Sequence, residues 1–288
     1  MSDKRSLSIA ETIRQQLEKL TPTERKPALA LLANYPVAGL ETVAQFARRA
    51  EVSGPTILRL VGKLGFASYP RFQRALRDEL ELRLQSPLTK TPPRVERKRR
   101  ALDFLDEFAH ALADTVQTSL RDVPRSEFDG TVDLLADPKR PIHLLGGRFT
   151  ASLALQFYLH LREMRPLVQL IDGQTATWVE HLLDIGRRHV LIVFDIRRYQ
   201  DDVVRFAGEA ASRGASVVLF TDGWLSPIAG VARHVFALRT SAPSNWESFA
   251  AIGALVEAFI TRLNDRRWND VKRRIETLEE IRANLRGR

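Results

Sequence analysis

The 288-residue chain has no cysteine, which excludes a disulfide framework, a thiol nucleophile, an iron-sulfur cluster and a cysteine zinc site. That absence fits a reducing cytoplasm, the compartment expected here. Long apolar runs are also missing. No window approaches the roughly 18 uninterrupted apolar residues of a membrane span, so no membrane partner is expected. The start, with Lys4 and Arg5 but no apolar core behind them, does not read as a signal peptide. Acidic residues are in deficit, 35 Asp plus Glu against 44 Lys plus Arg, leaving +9 and a sequence pI near 10.2. A basic excess suits an acidic partner such as nucleic acid, and equally suits a protein that is merely basic.

What is present is globular. A hydrophobic content of 44 % with 27 % charged residues excludes a wholly disordered or collagen-like chain, and the length favours two domains. From Ile9 to about Leu84 apolar residues recur at helical steps, as in Ile13, Leu17 and Leu20, then Leu29, Leu32 and Tyr35, then Phe72, Leu76 and Leu80. Thr21, Pro22 and Glu24 read as N-cap, first-turn proline and capping box. Ser86 to Arg100, with Pro87, Pro92, Pro93 and a basic run from Arg94, reads as a linker. The run suits a solvated first turn better than a phosphate track. A helix resumes at Ala101, with Leu105, Phe108, Leu112, Val116 and Leu120 on one face.

After Pro138 short apolar runs alternate with helix-length segments. The runs are Ile142 to Leu145, Leu167 to Ile171, Val190 to Phe194, Ser216 to Phe220 and His234 to Leu238. Their spacing leaves room for crossover helices, so the expectation is a three-layer α/β domain with a five-stranded parallel sheet behind an all-α domain. The expected division is a helix-turn-helix domain at 1–84, linker and connecting helix at 85–121, the α/β domain at 122–265 and a final helix at 266–288. That last helix carries Val271, Ile275, Leu278 and Ile281 on one side, as an oligomer or domain contact would.

Val43 to Leu64 has the layout of a helix-turn-helix: small Ala47 at the close approach, Val52 in the turn, Ser53 as cap, Ile57 and Leu60 inward. Glu51 stands at the turn position that often holds glycine. This register leaves Pro55, Thr56, Arg59 and Lys63 on or near the outer face, where they can meet base edges and phosphates in a major groove. Ser53, Pro55, Thr56, Arg59 and Lys63 are therefore the candidate DNA-binding residues. The competing reading is a small helical packing module with solvated Arg59 and Lys63.

Leu20 to Lys26, the Val52-Ser53 turn, Thr56 to Arg59, Lys63 to Phe66 and Tyr69 closely resemble the RpiR (MurR/RpiR) family of bacterial transcription regulators. The resemblance runs from about Leu20 to about Leu263. It implies an N-terminal helix-turn-helix joined to a C-terminal SIS domain, a sugar-phosphate-binding α/β module also found in sugar isomerases.

In that family phosphate is gripped by small-residue loops after the first and third strands, where backbone N–H groups and hydroxyls converge on an anion. The matching segments are Gly146, Gly147, Arg148, Phe149 and Thr150, and Asp195, Ile196, Arg197, Arg198, Tyr199 and Gln200. Arg148 replaces an expected glycine, and the second loop lacks the family's serines. Two readings stand: Arg148, Arg197 and Arg198 supply a charge-assisted cradle, or Asp195 pairs internally with an arginine and no phosphate binds. The effector candidates are Gly146, Gly147, Arg148, Thr150, Asp195, Arg197, Arg198, Tyr199, Asn245 and Glu247. Ser244 to Glu247 also reads as a capping box opening the last long helix, with Glu247 as the residue an SIS isomerase could use as a base.

The six histidines show no ligand-pair or triad spacing, and Walker and dinucleotide fingerprints are absent. No catalytic residue, metal or cofactor is assigned. The expected protein is a DNA-binding regulator, a homodimer or homotetramer on a double-stranded operator, controlled by a small anionic carbohydrate-derived effector, a sugar phosphate or sugar acid. The alternative is an SIS-type sugar-phosphate isomerase with an accessory helical domain.

Overall fold

The computed structural model describes residues 9–84 and 101–285. The basic run of the linker lies outside the described residues. Contacts divide the chain into two compact units, 1–91 with 223–230, and 92–222 with 231–288.

The first unit is helical: α1 Ile9–Gln16, α2 Pro22–Ala33, α3 Val37–Leu40, α4 Val43–Arg49, α5 Gly54–Lys63 and α6 Tyr69–Leu84. Thr21 and Glu24 form the capping box read from the sequence, and Thr42 with Gln45 forms a second one that opens α4. Ile13, Leu31, Phe46, Ile57, Leu60, Phe72 and Leu76 fill the core. The inward face of α2 differs from expectation. Leu29 is 51 % exposed while Ala28 and Leu31 are fully buried, because Pro27, Ala28 and Leu31 share the core-facing turn.

In the second unit α7 Ala101–Asp122 and α8 Arg125–Ala136 precede β1 Ile142–Gly146, α9 Ala151–Met164, β2 Val168–Ile171, α10 Trp178–Asp184 and β3 Val190–Phe194. Next come α11 Asp201–Ser212, β4 Ser216–Asp222, β5 His234–Leu238 and α12 Ala250–Leu285. The sheet is five-stranded and parallel, in the order β2-β1-β3-β4-β5. β1, β3 and β4 are buried at every position, as continuous apolar runs between two helical layers must be. Phe194, Phe220 and Phe236 stack across neighbouring strands with ring centroids 4.7 and 5.1 Å apart, and Phe259 of α12 closes over them.

Two helices depart from their sequence patterns. On α7 the buried residues are Thr115 and Ser119, whereas Leu105 is 65 % exposed. Thr115 donates to the carbonyl of Ser241, and Ser119 Oγ accepts from the amide of Arg239, so a polar stripe serves backbone groups just beyond edge strand β5. The last helix, Ala250–Leu285, is two helical stretches joined across a kink at Arg267, whose guanidinium donates to the carbonyl of Ala136. Beyond the kink Val271 is buried and Ile275 and Ile281 are exposed.

The strand order reverses between β1 and β3, which stay paired to Gly146 and Phe194, and the crevice outside the carboxyl ends at such a switch point is the usual ligand position of an open parallel sheet.

Candidate functional site

The first candidate surface is built on α4 and α5. Val52 donates to the carbonyl of Ala47 at 3.0 Å, closing the turn between them. Glu51 adopts φ 54°, the left-handed conformation for which glycine is commonly used, so the missing glycine changes the residue without changing the turn. On α5 the exposed residues are Pro55, Leu58, Arg59, Gly62 and Lys63, one stripe at helical spacing. Leu58 was not singled out from the sequence; it is 50 % exposed and offers apolar contact of the kind a thymine methyl takes.

Thr56 corrects the expected outer face. It is 2 % exposed, because residue 56 lies one turn before Leu60 on the core side. Its hydroxyl lies 3.0 Å from Ser53 Oγ and accepts from Arg59 at 3.3 Å. Ser53 holds the N-cap position but makes no side-chain capping bond, its hydroxyl being turned to Thr56. Lys63 donates to Glu24 Oε2 at 2.7 Å. That ammonium, with the amide and hydroxyl of Thr21, holds the Glu24 carboxyl down at about 2.

The second candidate site is the crevice between β1 and β3. Gly146 ends β1 against the start of α9, and a Cβ there would stand 2.5 Å from the amide nitrogen of Ala151. Thr150 is buried; its Oγ1 accepts from the amide of Gly147 at 2.8 Å and donates to the carbonyl of Phe194 at 2.6 Å. This bridge fixes the first loop to the end of β3. Arg148 is exposed, its guanidinium 4.9 Å above the ring of Phe149.

The second loop is held by carboxylates. Asp195, 1 % exposed, accepts from the amide of Gln200 at 3.4 Å. Asp222, at the end of β4, accepts from the amide of Arg197 at 2.7 Å and from the hydroxyl of Tyr199 at 2.6 Å. Arg197 is tied by its guanidinium to Glu247, and Glu247 Oε2 also takes the hydroxyl of Thr240 at 2.6 Å. Arg198 is exposed, and Asn245 is half-buried in the loop that carries Glu247.

The expected capping box at Ser244 is not formed. α12 begins at Ala250, Ser248 Oγ accepts from the amide of Ala250, and Glu247 faces Arg197 instead. Arg197 with Glu247 is an internal acid-arginine pair of this loop.

Four further residues shape the crevice. Asp222 ends β4, and Gln200 closes the loop after β3 that the sequence matched without giving this residue a role. Phe149 and Trp246, 55 % and 62 % exposed, meet edge to face at 6.4 Å on the rim, and only their aromaticity in loops could have flagged them. Among the described residues no group of three or more His, Asp or Glu could hold a metal ion, and no helix is long and apolar enough to cross a membrane.

Comparison with known proteins places both halves. Residues 7–82 match the helix-turn-helix domain of the rpiR family, and residues 134–262 match the SIS domain. The HTH-type transcriptional regulator HexR of Pseudomonas aeruginosa is 26 % identical over 223 residues, 74 % of this chain and 73 % of that protein. Among solved structures, the sugar isomerase domain of an RpiR transcription factor from Sphaerobacter thermophilus is 18 % identical, with a TM-score of 0.58 over 62 % of this chain and 99 % of that one. The Vibrio vulnificus NanR protein complexed with ManNAc-6P is 17 % identical, with a TM-score of 0.55 over 97 % of this chain and 100 % of that one.

Proposed function

On the footing that the chain is an RpiR-family protein, with that family's helix-turn-helix ahead of an SIS domain, we propose that it is a DNA-binding transcription regulator controlled by a small carbohydrate-derived anion. The observation that carries this reading is the pairing, in one chain, of an exposed basic stripe on the second helix of a helix-turn-helix with a crevice at the switch point of a parallel sheet. α5 enters a major groove. Arg59 reads base edges, Lys63 meets phosphate, and Ser53 and Pro55 approach the backbone at the helix start.

The effector lies in the crevice, its anionic end against Gly147 and Arg148 and its hydroxyls toward the loops of Arg197 and Glu247. Arg198 and Arg148 supply exposed charge at the mouth, with Tyr199 and Asn245 beside them. Asp195 and Thr150, both buried and internally bonded, hold the loops in place. Effector binding biases the DNA-competent arrangement by favouring one of two states, which requires different affinity for the two.

The working unit is a homodimer or homotetramer that sets two readers about 34 Å or a multiple of it apart on a pseudo-palindromic operator. Phe104 and Leu105, 59 % and 65 % exposed on α7, support a self-contact. An isomerase would need a base at the crevice. Glu247 is poorly suited, since Arg197 and Thr240 already engage its two oxygens.

A panel of sugar phosphates and sugar acids tested by thermal shift checks the effector. A ligand at about 100 times its Kd stabilises by about 2.7 kcal/mol. Stabilisation by one panel member that is lost in Arg148→Ala supports the reading. A panel without effect, or turnover of a sugar phosphate abolished by Glu247→Gln, contradicts it.

A further inference from the structure

We infer that Gln200 is a built-in occupant of the anion cradle: its side-chain carbonyl fills the place that a phosphate oxygen of the effector takes, and the effector must displace it. This inference rests on the reading of the crevice as the effector site and adds the residue that sets its affinity and transmits its occupancy.

The observations converge on one oxygen. Gln200 Oε1 accepts a hydrogen bond from the backbone amide of Arg148, in the turn that leads into α9. The same oxygen lies where a Cβ on Gly147 would stand 2.6 Å away, so the small residue at 147 is what admits it. Gly147's own amide is satisfied by Thr150, and the amide of Ala151 by the carbonyl of Gly147. The amide of Arg148 is thus the loop donor that meets a side chain from across the crevice. Amides that precede a helix and look toward the solvent side of a sheet attract negative oxygen, and here a neutral amide oxygen has taken that role.

The chemistry favours exchange. A neutral acceptor holds a backbone N–H about half as strongly as an anionic one, so a phosphate oxygen displaces the carboxamide while a hydroxyl does not. Gln200 discriminates between ligands in this way, since only an anionic oxygen offsets the loss of its bond. Ligands that bring hydroxyls alone leave it seated.

Displacement has a route outward. Gln200 sits at the N-cap of α11, its own amide bonded to Asp195, in the loop that Asp222 and Glu247 restrain through Arg197 and Tyr199. Moving its side chain releases one of the ties between the β1 loop and the β3 loop. Bound and unbound states therefore differ in how those two loops are joined.

The test is calorimetric titration of the full-length protein with inorganic phosphate at constant ionic strength. It compares the wild type with Gln200→Ala, Gln200→Asn, whose shorter arm withdraws the oxygen, and Gln200→Glu, whose carboxylate competes permanently. Loss of one neutral hydrogen bond predicts phosphate affinity about fivefold higher in the first two variants. In Gln200→Glu it falls at least tenfold. A purely structural role would weaken binding in Ala and Asn alike, so equal or weaker phosphate affinity in both, beside a wild type that binds, overturns the role of Gln200 and leaves the crevice reading standing. Absence of phosphate binding in all four proteins overturns this inference; whether the crevice reading falls with it is read from the separate panel of sugar acids.

Discussion

Lys63 Nζ lies 2.7 Å from Glu24 Oε2, so the cation of α5 proposed to meet a DNA phosphate already has an anion of its own domain. The Lys63 side chain is 46 % exposed, so phosphate can share its ammonium or replace Glu24. Arg59, by contrast, reaches the hydroxyl of Thr56 at 3.3 Å and stays on the outer stripe.

The two cations should therefore fail differently. Lys63→Ala weakens binding to all DNA sequences by a similar factor and reduces the magnitude of the log-log salt slope by about 0.9. Arg59→Ala costs about 1–3 kcal/mol on the preferred sequence and far less on scrambled DNA. Fluorescence anisotropy across a salt series separates them, and equal losses on both DNAs for Arg59→Ala would remove it from base reading.

Glu51 carries a measurable backbone cost. A left-handed conformation at a non-glycine residue costs about 1–2 kcal/mol, partly offset by the greater unfolded freedom of glycine. Glu51→Gly is expected to stabilise the helical unit by about 0.5–1 kcal/mol, seen as a higher urea midpoint with unchanged slope.

Acid sensitivity centres on β1. His143 is buried with Nε2 3.0 Å from His189 Nδ1 and its ring 6.3 Å from that of His181. Burial, then the two neighbouring imidazoles, push it down to about 4, against the opposing pull of Asp184. The folded protein thus resists a proton that the unfolded chain accepts near 6.5, so stability falls as pH drops from about 6.5 to about 4 and levels off below. Urea unfolding should lose about 2–3 kcal/mol over that window, and His143→Leu should flatten most of the slope.

Arg197 and Glu247 act as a pair. Removing either takes from a largely buried charge its oppositely charged partner across the loop, costing about 2–4 kcal/mol, while Arg197→Met with Glu247→Leu costs less than the sum of the single changes. A thermal-melt double-mutant cycle reads the coupling. Additive losses would mean that the two side chains do not hold the loop together.

Much of this architecture was legible from the sequence, because β-rich apolar runs at regular intervals have one good solution, a parallel sheet covered on both faces. The five runs from Ile142 to Leu238 became its strands in place. The helix-turn-helix was equally legible through Ala47, Val52, Ile57 and Leu60, which a tight helical corner packs together. Thr56 misled because a small hydroxyl residue fits either face of a helix, and its partners Ser53 and Arg59 are defined only by the fold. Glu247 misled for a related reason. Ser-x-x-Glu is a capping signal by local rules, but the partner that captured the carboxylate, Arg197, lies fifty positions earlier in the chain. Gln200 left no signal at all, since the amide it meets belongs to another loop. On α7 Val116 of the apolar stripe packs on the core, but its buried neighbours are Thr115 and Ser119, which serve backbone groups beyond edge strand β5, while Leu105 and Leu120 stay exposed.

The central claim is that one chain both reads DNA and senses a small anion, and one measurement addresses both halves. DNA is selected from a random pool by the full-length protein, and its affinity is compared with that of scrambled DNA, with and without the panel member that raises the melting temperature. The account predicts selected DNA bound about a thousandfold or more tighter than scrambled, and a shift of that affinity by about 5- to 150-fold when the ligand is present. Equal affinity for both DNAs, or selective binding that the ligand leaves unchanged, would contradict it.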